Sequence, residues 1–353
     1  AHHLVIDGIS WRILLQDLAT TYQQIVTIDT QAIPSEIERL PSQGMSYIQW
    51  VNQLETYGKS SEILKDLPYW AAMEEKTNSL CRQQFSCFAN NATEELDDRL
   101  GPNTDDRLSS SVENNYGNAQ HLTECLDTTQ TENLLTKVNG PYNTTTEDIL
   151  LVALSRSLYI MTEEANHCLL MESHGRDQLV DDERHSHIDI SRCTGWFTSF
   201  WPFLLQLPDT NDLGYQIKSI KDKLRRVPKK GATYQLLKQF ANRRLTRQLA
   251  FSLKPEISFN YLGALDSSLS ESGLISTDEA IGSSVDSDAT RPCHIEVSAW
   301  VMNNVLLFDL NVGQGTSDLD YETLLALWKQ QTQILIEHCL NHKEIEVSPS
   351  DLT

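Results

Sequence analysis

The plainest capacity for chemistry stands at the start of the chain, where His2 and His3 precede Leu4-Val5-Ile6 and then Asp7-Gly8. Neighbouring side chains in an extended segment point to opposite faces, so one imidazole can enter a cleft while the other packs. An imidazole titrates near neutrality and is a candidate general acid or base. The plain alternative is a packed or surface histidine pair, although the Asp-Gly context argues against a tag remnant. Asp7, followed by Gly8 and a helical pattern, suggests a tight strand-to-helix turn held by its carboxylate. A structural role suits it, with an arginine such as Arg192 as partner. Phosphate-cradling glycine loops, Ser-His-Asp order and glycosidase-like carboxylate pairs are absent as motifs. The seven cysteines are scattered, with no C-x-x-C pair and no Cys/His ligand spacing, so they read as free thiols and no metal is expected.

The elements that must position these residues follow from hydrophobic period. Trp11, Leu14, Leu15, Leu18, Tyr22, Ile25 and Val26 recur at spacings of three and four, which predicts a helix over 10–27. A Pro/Ser-marked break at 29–44 precedes amphipathic stretches from Tyr47 to Tyr57 and from Leu64 to Trp70. Residues 89–118 are acidic, with few apolar anchors, and read as a solvated excursion. Order resumes at 131–135 and at the Thr-capped segment from Thr146 to about Ile160. Short apolar runs at 167–172, 196–207, 256–262, 294–301 and 305–312 predict strands. An acidic loop at 264–290 and a closing helix at 318–340, with Leu324, Leu325, Trp328, Leu335 and Cys339 inward, complete the chain. Helices mixed with non-sequential strands indicate an α/β or α+β architecture.

Four stretches carry a family likeness in order along the chain. His2-His3-x-x-x-Asp7-Gly8 continues as Ser10-Trp11-Arg12. Glu172-Ser173-His174-Gly175-Arg176-Asp177 is similar to an E-G-H-G-R-E motif. Ser191-Arg192-Cys193-Thr194-Gly195-Trp196-Phe197-Thr198-Ser199, ending at Pro202, matches S-R-T-V-G-W-F-T-S-x-x-P. Phe259-Asn260-Tyr261-Leu262-Gly263 is F-N-Y-L-G intact. Together they resemble the epimerization branch of the condensation-domain superfamily of nonribosomal peptide synthetases. One further motif, P-x-x-G-x-G-Y-G, is altered: in Pro228-Lys-Lys-Gly231-Ala-Thr233-Tyr234-Gln235 two of three glycines are replaced. If those glycines supply positive φ or close backbone approach, the loop is changed.

The resemblance implies a chloramphenicol-acetyltransferase-like fold of two lobes in a V, here lacking much of the first lobe, as the abrupt start at Ala1 also suggests. Residues 1–45 would be the tail of the first lobe and 46–353 the second, with a bridging strand or loop within 264–315. The implied reaction is inversion at the Cα of an aminoacyl or peptidyl thioester on a carrier protein. His3 would be catalytic and Glu172 its opposite number, with a pKa raised by burial among Leu169, Leu170 and Met171; an exposed strand carboxylate is the alternative. Asn260 and Tyr261 can hydrogen-bond an enolate oxygen, or Tyr261 can be an ordinary core residue. His2, Asp7 and Gly8 would be structural at the site, as would His174 and Arg176, which shape the Gly175 turn. Trp196 and Trp201 line the tunnel or belong to the core. The other readings are a peptide-bond-forming condensation domain and a silent remnant that only docks a carrier. The resemblance implies no cofactor of the domain's own; the substrate rides on the 4'-phosphopantetheine arm of a peptidyl carrier protein, expected just upstream in the same polypeptide.

Composition bounds these readings. The 353 residues carry 49 Asp+Glu against 28 Lys+Arg, a net charge of −21, and no apolar run approaches a membrane span. With no leader either, a cytoplasmic protein without membrane or nucleic-acid partners is expected. The net value conceals a segregation: residues 218–254 hold twelve basic residues and one acid, a net of +11, leaving −32 for the rest. Carrier proteins are typically acidic, so this segment, with Lys229, Lys230, Arg243 and Arg244, is a candidate docking surface or a merely solvated helix face.

Overall fold

The computed structural model describes residues 5–27, 40–42, 44–84, 114–176, 188–265, 285–313 and 319–352. His2 and His3 lie outside the described residues, as do most of the 29–44 break and most of the two acidic stretches. Among the described residues the strands form one sheet: β1 (Ala119–Cys125), β2 (Asn166–Ser173), β3 (Ser199–Gln206), β4 (Ile257–Ala264), β5 (Ile295–Met302) and β6 (Val305–Gly313). Their order is β1-β6-β5-β4-β2-β3. The two parallel pairs, β5 with β4 and β4 with β2, lie side by side at its centre, and the other neighbours are antiparallel. This is the mixed α/β architecture expected of the condensation superfamily.

The helices are α1 (Gly8–Thr27), α2 (Tyr47–Lys59), α3 (Leu67–Gln84), α4 (Thr128–Thr136), α5 (Thr146–Thr162), α6 (Leu213–Arg225), α7 (Ala232–Gln239) and α8 (Tyr321–Asn341). Alternation along β5 buries Ile295, Val297, Ala299 and Val301 on one face. Against the sheet packs α8, whose fully buried Trp328 meets Phe308 edge-on with centroids 4.8 Å apart and donates its indole N–H to Leu150 O at 3.0 Å. Helix α5 has no solvated stripe over its first turns; Ile149 to Leu154 are all fully buried, the pattern of a helix enclosed on every side. Its N-terminus carries a capping box, in which Thr145 accepts from the Asp148 N–H and its own N–H donates to the Asp148 carboxylate at 2.8 Å. The inward face of the closing helix is as expected from the sequence. Strand β1 is an addition to that reading, as are the bounds of α6, which begins ahead of the basic segment and runs into it, and of α7 inside it. No helix among the described residues is long and apolar enough to cross a membrane.

Candidate active site

The turn into α1 is built by Asp7. Its backbone C=O accepts from Trp11 N–H at 3.1 Å and its carboxylate from Ser10 N–H at 2.7 Å, the capping bonds of a helix N-terminus. The same carboxylate accepts from Arg176 Nη2 at 3.0 and 3.2 Å and from Phe197 N–H at 3.2 Å. Arg176 is therefore the partner of Asp7, not Arg192, which pairs with Asp17 further along α1. The reason is depth: Asp7 and Arg176 are both buried, whereas Arg192 remains partly open at the surface. Burial acts to raise the Asp7 carboxyl, but the Ser10 hydrogen bonds and the Arg176 guanidinium hold it below the usual carboxylate range.

Arg176 gathers the rest of this turn. Its Nη1 donates to Ile190 O and Cys193 O, its Nη2 also to Ser10 Oγ, and its guanidinium lies 3.9 Å over the Phe197 ring. Ser10 Oγ in turn exchanges bonds with the backbone of Gly195 at 3.0 Å each way. The three motif segments around Asp7, Arg176 and Gly195 thus form one buried network. Gly175 makes it possible: its φ is +66°, and a Cβ there would lie 1.9 Å from Phe197 O. His174 accepts from the Arg176 N–H and stays exposed, in keeping with a turn-shaping role.

Glu172 stands near the end of β2, paired across to Phe200 of β3. On its other side β2 runs parallel to β4, the last pair being Met171 with Phe259, so the next residues on the two strands are Glu172 and Asn260. Leu169 and Met171 are fully buried and Glu172 is half-buried. Burial pushes the Tyr261 phenol upward, against a hydrogen bond with the Thr146 side chain at the start of α5. Glu172, Asn260 and Tyr261 open into one cavity of about 670 Å³, together with Asp7 and Gly8. Glu172, Asn260, Tyr261, Asp7, Gly8 and His174 therefore share one cavity, Arg243 and Arg244 lie outside its lining, and the positions of His2 and His3 are not described.

Other lining residues come from positions to which the sequence reading gave no part in the proton transfer. Thr145 and Glu147 enter from the first turn of α5, and Arg225, Val227 and Lys230 from the end of α6 and the turn after it. In that turn Lys229 and Lys230 have φ of 45° and 47°, a left-handed conformation costly for a non-glycine residue, and they lead into Gly231 at +90°. A Cβ on Gly231 would fall 2.0 Å from the indole of Trp201, which is buried and lines the cavity. The two replaced glycines of this motif, at Thr233 and Gln235, lie inside α7 with ordinary helical backbone. Thr233 accepts the indole N–H of Trp70 at 2.9 Å. The loop thus retains the one glycine its geometry requires.

The basic segment is partly spent internally. Lys218 pairs with Glu346, while fully buried Lys221 bonds Asp351 at 2.7 Å and Arg225 reaches the same carboxylate. Arg226, Lys230, Arg243, Arg244 and Arg247 remain exposed, and Lys229 is half-buried. The exposed positive surface is smaller than the sequence count of twelve, because the C-terminal carboxylates fold back onto α6.

A family model described as the condensation domain matches residues 1–343. The chain is 33% identical over 356 residues to tyrocidine synthase 2 of Brevibacillus parabrevis, covering 99% of this chain and 9% of that protein. It is 31% identical to gramicidin S synthase 1 of Brevibacillus brevis, covering all of this chain and 30% of that one. The chain thus spans less than a third of these relatives. Among solved structures it is similar to the epimerization domain from the third module of tyrocidine synthetase B, with a TM-score of 0.78 and 30% identity over 98% of this chain and 69% of that one. By the extent of the family match, this chain belongs to the condensation-domain family.

Proposed function

We propose that the cavity inverts the Cα of an aminoacyl or peptidyl residue held as a thioester on the phosphopantetheine arm of a carrier protein. The observation that carries this reading is the meeting of Glu172, Asn260 and Tyr261 in one cavity with Asp7-Gly8, four residues beyond His3. The likeness to an epimerization domain at 30% identity supports it. A thioester acidifies its α-proton, so two proton-transfer groups on opposite faces of Cα suffice. One of His3 and Glu172 takes the proton while the C–H electron pair passes into the enolate. The other returns a proton to the opposite face. In this reading Tyr261 and Asn260 hydrogen-bond the enolate oxygen. The carrier docks on the exposed basic surface around Lys230, Arg243 and Arg244.

The test is solvent-deuterium uptake at Cα of a carrier-bound aminoacyl thioester. Glu172→Gln and His3→Ala are each expected to lower exchange by about 10²–10⁴-fold; full exchange in both removes the pair. The family model's description favours a second reading, condensation, in which His3 assists an amine attacking the thioester. That reaction yields a peptide bond and no D-residue, so product analysis separates the two.

A further inference from the structure

The charged groups around the cavity are nearly all engaged by the fold. Asp7 is taken by Arg176, Ser10 and Phe197, Asp148 by the Thr145 cap, and Arg225 by Asp351. Arg12 reaches Leu262 O, and Glu172, His174 and Lys230 each have interactions of their own. Glu147 differs. It sits on the first turn of α5, lines the cavity, and makes no hydrogen bond or close ion pair with any described residue. Much of the surrounding wall is apolar, from Trp201, Leu224, Val227, Leu262 and Leu265. Burial, with the Asp148 charge beside it, pushes the Glu147 carboxyl up to about 7, against the pull of the Lys230 ammonium. A carboxyl so placed gains most from a cation delivered into the cavity, which restores its charged form.

We propose that Glu147 is a specificity-determining residue whose carboxylate pairs with an ammonium group of the substrate, either the α-ammonium of an aminoacyl thioester or one on its side chain. The proposal rests on the thioester reading above and narrows it. An N-acylated peptidyl substrate with an apolar side chain offers a neutral amide at that position and forfeits the pair. Asp148 differs in being tied to the helix cap, where its Oδ2 accepts from both the N–H and the hydroxyl of Thr145.

The test uses three amide-linked pantetheine analogues, which bind without turnover, measured by calorimetry: L-leucyl, N-acetyl-L-leucyl and N-acetyl-L-lysyl. The native chain is expected to bind at least one ammonium-bearing analogue about tenfold tighter than N-acetyl-leucyl, and Glu147→Gln to abolish that difference. Preference for leucyl assigns the α-ammonium, and preference for N-acetyl-lysyl the side chain. Equal affinities, no binding of any analogue, or a preference that survives Glu147→Gln overturns the proposal.

The ammonium preference should rise as pH rises towards and through about 7, where the free carboxyl ionises, since the carboxylate is the binding form. Sharing the cavity with Glu147 are Tyr261 from β4, Glu172 and His174 from the end of β2 and the residue after it, Arg225 and Lys230 from the end of α6 and the turn after it, Asp7 before α1 and Arg12 on it; Asp148 adjoins Glu147 on α5. All persist in Glu147→Gln, so a slope lost in that variant belongs to Glu147. Deuterium exchange is scored separately: binding preference without exchange in any thioester would remove the epimerase reading and leave the subsite standing.

Discussion

Helices α1 and α5 both present their first turn to the cavity, and they are held there in opposite ways. Helix α5 is enclosed by α6, α8 and the rest of the core, so that Ile149 to Leu154 are fully buried. Helix α1 buries Ser10, Ile13 and Ala19, while Trp11, Leu14, Leu18, Tyr22 and Ile25 are exposed, Leu18 by 59% and Tyr22 by 63%. One helix is placed by apolar packing along its length, the other by a polar knot at its N-terminus plus a narrow buried side. The one cavity can therefore be damaged by two different chemistries.

The largest expected effect is at the knot. Arg176→Ala leaves the buried Asp7 carboxylate without its cation, and removing one member of such a pair typically costs about 3–5 kcal/mol. Denaturant unfolding should show that loss, and amide hydrogen exchange should show α1 losing protection before the sheet. The double variant Asp7→Asn/Arg176→Met, which strands no charge, should recover part of it. The pH dependence has a definite sign. Because the folded Asp7 carboxyl is held below its unfolded value near 3.9, its contribution is complete above that value and fades as pH falls through the folded one. Equal acid sensitivity in native and Asp7→Asn chains would break the contrast between the two helices.

For α5 the corresponding break is a void. Leu151→Ala removes a fully buried side chain and should cost about 2–5 kcal/mol, depending on how far the site collapses. That loss should be nearly independent of pH between 4 and 8, and protection should fall across α5, α8 and the sheet together. A pH-dependent loss at Leu151 would show that α5, like α1, relies on its charged first turn.

How the two helices read from sequence differs for the same physical reason. The apolar run Ile149-Leu-Leu-Val-Ala-Leu and the alternation in β5 are local patterns, and their cores follow directly from period. The Gly175 turn and the converging motif residues were likewise legible, since each motif carries its own glycine or strand. The partner of Asp7 was not: Arg176 and Arg192 are equally arginine in sequence, and only the burial of the 188–198 loop against Tyr47 and Trp50 decides between them. Glu147 was missed because its signal is a missing partner, which appears only when Asp148 has taken the cap and α6 has closed the opposite wall. The folding back of Glu346 and Asp351 onto α6, which shrank the basic surface, is a contact over more than 120 residues and leaves no local trace.

The smallest expected effect tests the exposed side of α1. A helix with apolar residues at spacings of three and four ordinarily turns them to a core, and among the described residues that stripe is exposed. Leu14→Ser/Leu18→Ser removes apolar surface that the fold does not bury, so unfolding free energy should change by no more than about 0.5 kcal/mol per site. What should change is association. Native chain is expected to bind a hydrophobic dye and to self-associate with rising concentration or sulfate, and the double variant to do both less, as scattering and dye fluorescence would record. A stability loss above about 1 kcal/mol per site would mean the stripe is covered in solution, making α1 a packed helix like α5 and leaving the Asp7–Arg176 knot as an addition to packing.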